Sequence, residues 1–152
     1  MPNTRTKSKW FGGNLLVGGP AGEQAPLYQI RKRFTIAQVN AGVELLPAVP
    51  GIAYRMVNAS MIAIGGAVTT VTTVDILATQ AAGSVKLSAF AQASLTQSAE
   101  LRAGDTGSTI LADGASYAVN DVNTAITVGI TGSAITVATN IDVILEYGME
   151  VS

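Results

Sequence analysis

The chain contains no cysteine and no histidine. It therefore cannot form a disulfide, a thiolate metal site or a thiol nucleophile, and it lacks the side chain that most often serves as a general base or metal ligand. These two absences exclude most hydrolase and metalloenzyme mechanisms. We expect a protein that is not an enzyme, with no catalytic residues, no metal and no cofactor.

Charge is also scarce. Charged residues make up 12% of the 152 residues, and hydrophobic residues make up 48%. An ordinary soluble domain carries roughly 25% charged residues. Because large uncovered apolar patches usually mark contact sites, we expect neighbouring proteins to cover part of this surface. A monomer whose surface is coated by serine and threonine remains the alternative.

The few charges are unevenly distributed along the chain. Residues 1–55 contain seven basic and two acidic residues, whereas residues 56–152 contain two basic and eight acidic residues. A basic front on an acidic body favours head-to-tail contacts between copies, or an arm that reaches a partner. The net charge of −1 does not suit a nucleic-acid-binding domain, for which a pI above about 9 is expected.

Residues 1–26 have the composition of a glycine-rich, basic N-terminal arm, and residues 27–152 form the predicted domain. The arm lacks a sustained hydrophobic period, but Trp10 and Phe11 are too apolar for a free tail, so we expect it to order against a partner. In the domain, Arg31 and Arg33 share one face of a predicted strand. The candidate contact residues are Arg5, Lys7, Lys9, Trp10, Phe11, Arg31 and Arg33. For Arg31 and Arg33, a solvated edge that deters aggregation is an equally good interpretation.

From residue 28 onward, β signals dominate. Strands are predicted around 28–39, 52–64, 67–79 and 108–119, with glycine-rich turns between them. Residues 56–74 are uncharged, but their threonines and Gly65-Gly66 favour two strands over a membrane span, so no membrane partner is expected. Residues 84–103 are ambiguous between helix and strand, and we favour a strand followed by a loop. Many short strands of this kind predict an all-β sandwich or barrel.

The C-terminal region gives the clearest periodicity. The tetrad AITV at 125–128 recurs at 134–137, which predicts two partners of one hairpin. After Asn140, the apolar residues Ile141, Val143 and Leu145 alternate with polar ones. This pattern predicts a half-buried strand whose acidic residues, Asp142 among them, face outward.

Two polar motifs suggest chemistry that the rest of the sequence does not support. Residues 105–109 (DTGST) are similar to the aspartic protease signature, but Ala103 and Gly104 stand where a hydrophobic strand should end, so a turn explains Asp105 equally well. A second, oxygen-rich group could supply calcium ligands, although nothing fixes a converging loop and its members are good turn formers. That group consists of Asp113, Asn120, Asp121 and Asn123.

Four segments carry a resemblance to a known family. They are residues 34–47 (FTIAQVNAGVELLP), 61–66 (MIAIGG), 112–116 (ADGAS) and 123–147, which includes the strand IDVILEY. Together they resemble the jelly-roll decoration, or cement, proteins of tailed-phage capsids. The resemblance covers about three-quarters of the chain and excludes the arm.

The resemblance implies a jelly-roll antiparallel β-sandwich, to which the composition of residues 1–26 adds an extended N-terminal arm. It further implies a structural virion protein, made in the host cytoplasm, that binds the capsid exterior as a homo-oligomer, a dimer or trimer, and stabilises contacts between major capsid protein subunits. The alternatives are a carbohydrate-binding β-sandwich module of a virion surface, which would recognise carbohydrate on a host surface, and, less well supported, a dimeric aspartic protease.

Overall fold

The structure is a computed structural model that describes residues 26–111 and 113–151. These residues form two antiparallel sheets that pack face to face, so the predicted all-β sandwich is confirmed. The predicted arm lies almost entirely outside the described residues.

Nine strands are present in the described part of the chain. They are β1 (Leu27–Thr35), β2 (Val43–Leu46), β3 (Ile52–Ile64), β4 (Val71–Gln80), β5 (Gly83–Ala91), β6 (Glu100–Arg102), β7 (Ser108–Thr109), β8 (Ile126–Gly132) and β9 (Asn140–Val151). The four-stranded sheet has the order β1-β9-β3-β6, and the five-stranded sheet has the order β2-β8-β4-β5-β7.

The inner faces of the two sheets form the core. In β9, Ile141, Val143 and Leu145 are fully buried, which confirms the predicted alternation of the last strand. The largest buried side chains contributed by the other strands are Leu45, Met56, Met61, Ile76, Leu87, Phe90 and Ile126. Residues at every second position of a strand share a face, and the inward rows form this core. Part of the outward row is buried as well in β3, β4 and β9, at Ser60, Asp75 and Asp142.

The prediction of strand through residues 36–39 is wrong, because a short helix, α1 (Ile36–Ala41), follows β1. The side chain of Thr35 accepts a hydrogen bond from the backbone N–H of Gln38, and the side chain of Gln38 accepts one from the backbone N–H of Thr35. This capping box satisfies two backbone donors and starts the helix. Gly42 ends it with a φ of 82°, in the region that favours glycine.

The predicted C-terminal hairpin is also wrong. Residues 126–132 form β8, which pairs with β2 and β4, but residues 133–139 form no strand. The side chain of Asn40 donates to the carbonyl of Ile135 at 3.1 Å and accepts from its N–H at 2.9 Å. The second tetrad is therefore bound to α1 instead of to the first tetrad, and Val137 is exposed.

The remaining strand predictions are partly correct. The strand at 52–64 is confirmed, and so is the strand followed by a loop within 84–103, which becomes β5, a 3-10 turn and β6. The strand predicted at 67 begins only at Val71, because Thr70 has a positive φ of 72°. The prediction of a strand at 108–119 is wrong. Only the two residues of β7 are in a strand there, and a 3-10 turn follows at Ala115–Tyr117.

Candidate interaction surface

Two of the predicted contact residues lie on the outer face of the four-stranded sheet, at its edge strand. β1 pairs with β9 along its full length, which places Arg31 opposite Ile144 and Arg33 opposite Asp142. Phe34 points inward and is buried. The alternation predicted from the sequence thus brings Arg31 and Arg33 to one face, as expected for residues two apart in a strand.

Both arginines bind the same carboxylate. The Nη2 atom of Arg31 lies 2.5 Å from Oδ2 of Asp142, while Nε and Nη2 of Arg33 lie 2.5 Å from Oδ1 and 2.9 Å from Oδ2. The side chain of Asp142 is only 1% exposed, but those of Arg31 and Arg33 are 59% and 55% exposed. We call these three residues the Asp142 cluster.

The ionisation of this cluster follows from its contacts. Hydrogen bonds from Arg33 hold the pKa of Asp142 at about 2, although burial acts in the opposite direction. The same hydrogen bond raises the pKa of Arg33. Asp142 is therefore charged at neutral pH, and the cluster carries a net charge of about +1. Since the side chains of both arginines keep more than half of their surface exposed, they can still face a partner.

The other predicted contact residues, Arg5, Lys7, Lys9, Trp10 and Phe11, lie outside the described residues.

Next to the Asp142 cluster, the same sheet face contains an open depression of about 170 Å³. The hydroxyl of Ser60 and the guanidinium of Arg102 lower the pKa of Glu100 at its rim. The lining residues are Gln29, Asn58, Ala59, Ser60, Glu100, Arg102, Ile144 and Glu146. This set mixes hydrogen-bond donors and acceptors, and it was not found by the sequence analysis because its members come from four separate strands.

One end of the four-stranded sheet exposes apolar side chains. Leu27 is 61% exposed and Val151 is 82% exposed. Tyr28 stacks on Tyr147 with a centroid distance of 5.7 Å, and Tyr54 meets the edge of Tyr147 at the same distance. Burial raises the pKa of both Tyr54 and Tyr147. β1 begins at this apolar end.

Asp105 lies in an exposed turn between β6 and β7. Its Oδ2 atom accepts the backbone N–H of Arg102 at 3.1 Å, and its carbonyl accepts the N–H of Ser108 at 2.9 Å. These bonds close the turn. The hydroxyl of Ser108 adds a bond of 2.6 Å to the carbonyl of Arg102. The DTGST motif is thus used locally as turn chemistry.

The four candidate calcium ligands also bind backbone groups or a neighbouring amide. Asp121 accepts the N–H groups of Ala81 and Ala82 at 3.0 and 2.8 Å and so caps the β4–β5 hairpin. Oδ1 of Asn123 accepts the N–H of Gly51 at 2.6 Å. Asp113 likewise accepts the N–H of Ala115, and Asn120 accepts from the side chain of Gln80. Across residues 26–111 and 113–151, no group of three or more acidic residues is arranged to hold a metal ion.

A second buried acidic residue, which the sequence analysis missed, lies in the five-stranded sheet. Asp75 is 1% exposed, and its Oδ2 atom lies 3.0 Å from Nζ of Lys86 and accepts the hydroxyl of Thr131 at 2.6 Å. Its Oδ1 atom has no protein partner among the described residues. Strand periodicity places Asp75 between buried neighbours, but it gives no sign of which cation lies beside it.

In the described part of the chain, no helix is both long and apolar enough to span a membrane. Comparison with protein-family models, with curated proteins and with solved structures gave no match.

Proposed function

We propose that this protein is a non-enzymatic structural protein that binds the outer surface of a tailed-phage capsid and stabilises the contacts between major capsid protein subunits. The single observation that carries the proposal is the strand pairing of the sandwich. This pairing supports the jelly-roll interpretation and, with it, the family resemblance of the sequence.

The pairing is nested. β1 pairs with β9, β2 with β8, β3 with β6, and β4 with β5. Such an order results when one long antiparallel hairpin is rolled up, so that the strands within each arm of the hairpin alternate between the two sheets. An eight-stranded double sheet built in this way is a jelly roll. β7, with two residues, is an addition at one edge.

The surface supports a docking role as well. The exposed residues at the apolar end and the half-exposed arginines of the Asp142 cluster lie on the same four-stranded sheet. Apolar anchors beside charged groups are common at protein interfaces. A dimer or trimer would engage several capsid subunits at once, so that weak individual contacts would give high avidity.

Cosedimentation tests the proposal. The full-length protein is mixed with purified empty capsid shells of the tailed phage that encodes it, and the bound fraction is measured over a range of concentrations. We expect saturable binding and shells that resist heating better than undecorated ones. Protein that remains in the supernatant at all concentrations, together with unchanged shell stability, would refute the proposed function.

A second candidate function is carbohydrate binding, which the depression beside Ser60 favours. Its amide, carboxylate and guanidinium groups supply the alternating donors and acceptors that hydroxyl-rich ligands need. A glycan array separates the two functions. Specific glycan binding that is lost in an Arg102→Gln variant, without any binding to shells, would favour the carbohydrate function.

A further inference from the structure

The edge of the four-stranded sheet formed by β1 is the longest strand edge in the described part of the chain. β1 contains nine residues and pairs only with β9 among the described residues. The other edge strands are much shorter: β6 has three residues, β2 four and β7 two. On the free side of β1, every second residue therefore directs its N–H and C=O groups away from the sheet.

A long free edge of this kind is a template for another strand. Proteins restrict such edges by shortness, by bulges or by charge. β1 is neither short nor bulged in its pairing with β9, so charge is the restriction that remains. Its sequence LYQIRKRFT contains three basic residues and no acidic residue.

These charges decide which kind of strand the edge can accept. Two copies of β1 that paired antiparallel along all nine residues would place Arg31 directly opposite Arg31 and would collect six basic side chains. Like charges directly opposite each other destabilise a strand pair. Asp142 offsets one charge of each copy but is already bound by both arginines. Lys32, which is half-buried on the core side of the strand, has no ion pair among the described residues.

We propose that the free edge of β1 binds an extended, acidic segment of a partner protein by strand addition. Backbone hydrogen bonds supply the affinity that any extended segment would have for the edge. Acidic side chains of the partner segment, placed near Arg31, Lys32 and Arg33, supply the selectivity for an acidic segment. The identification of that partner as a capsid subunit rests on the proposed function, but the chemistry of the edge does not.

The probe is a fluorescent peptide of ten residues in which glutamate alternates with valine and threonine. Binding to the full-length protein is followed by fluorescence anisotropy, and amide hydrogen exchange locates the site. Two control peptides are matched to it: one has lysine in place of glutamate, and the other has proline at two central positions, which cannot donate to a ladder. We expect the acidic peptide to bind and to slow exchange of those amides in residues 27–35 whose N–H groups point away from β9. Both controls should bind at least tenfold more weakly.

Protein variants test the charge contribution. Arg31 and Arg33 are left intact because they hold Asp142. Lys32→Gln removes one charge from the edge, whereas Arg55→Gln removes one from β3, an interior strand of the same sheet. We expect Lys32→Gln to weaken binding of the acidic peptide about threefold, the scale of one partly exposed ion pair. Arg55→Gln should leave the affinity within a factor of two.

Three results would overturn the inference. One is equal binding of the acidic and basic peptides, and the second is no binding of the acidic peptide at millimolar concentration. The third is slow exchange, before any peptide is added, of those amides in residues 27–35 whose N–H groups point away from β9. The last result would mean that the arm or a second copy already covers the edge. If shells bind the protein while the peptide does not, strand addition fails and the proposed function stands; the reverse result refutes only the proposed function.

Discussion

Asp142 shows how much of a strand residue's environment can be predicted from the sequence pattern around it. Alternation correctly predicts that it lies on the face opposite Ile141 and Val143, yet its side chain is only 1% exposed. The reason is that Arg31 and Arg33, more than 100 residues earlier, extend over it from the neighbouring strand. Periodicity gives the face of a residue, but its burial depends on which strand is adjacent, and that is a property of the topology.

The Asp142 cluster predicts a pH dependence of stability. Because the pKa of Asp142 falls from its ordinary value of 3.8 to about 2 in the folded protein, the unfolded chain binds more protons between these two values. The contribution of Asp142 to the free energy of unfolding is therefore fully present above about pH 4, and it is lost as the pH falls through 2. We expect its contribution to be about 2 kcal/mol.

Urea unfolding at pH 7 and at intervals between pH 5 and pH 2 measures this contribution. Asp142→Asn should be less stable than the wild type at pH 7, and its free energy of unfolding should fall less steeply below pH 4. An Asp142→Asn variant whose pH profile runs parallel to that of the wild type would contradict the assigned role of Asp142.

At the scale of elements, local signals predicted strands well and their partners poorly. The strand at 52–64 and its end at Gly65-Gly66 could be derived from β-branched content and turn chemistry. Helix α1 could have been found from the Thr35 to Gln38 capping box and Gly42, but the apolar residues around them outweighed these signals. The repeat at 125–128 and 134–137 was misleading because Asn40, distant in sequence, binds the backbone of Ile135.

The connection between β3 and β4 requires a glycine at position 65. Its φ is 75°, and a Cβ atom there would lie 2.2 Å from Oγ1 of Thr139. That hydroxyl also donates to the carbonyl of Ile64 at 3.1 Å, so it cannot move without losing a hydrogen bond. Gly51 provides a matched position, with a φ of 77° and no atom within 4 Å of the added Cβ.

We therefore expect Gly51→Ala to cost about 1 kcal/mol, the backbone penalty alone, and Gly65→Ala to cost about 3 kcal/mol, because the steric conflict adds to it. The difference between the two variants in free energy of unfolding, measured with urea, isolates the close approach to Thr139. Equal losses in the two variants would show that the β3–β4 connection can relax around the methyl group.

At the scale of the whole molecule, composition and turn spacing were sufficient to predict an all-β sandwich. The order of the strands was not accessible in this way, because nested pairing joins residues such as Arg33 and Asp142 that are far apart in the sequence. The candidate surface was predicted in part: Arg31 and Arg33 share a face, but the carboxylate between them, the depression beside Ser60 and the exposed apolar end depend on that long-range order.

The central claim is that this sandwich works by docking several copies onto a capsid. Light scattering of the full-length protein, alone and with increasing amounts of purified empty shells, tests it most directly. We predict a free mass of two or three chains and the loss of this species as shells are added, with a matching gain in shell mass up to saturation. A species of one chain whose concentration is unchanged by the shells would contradict the claim.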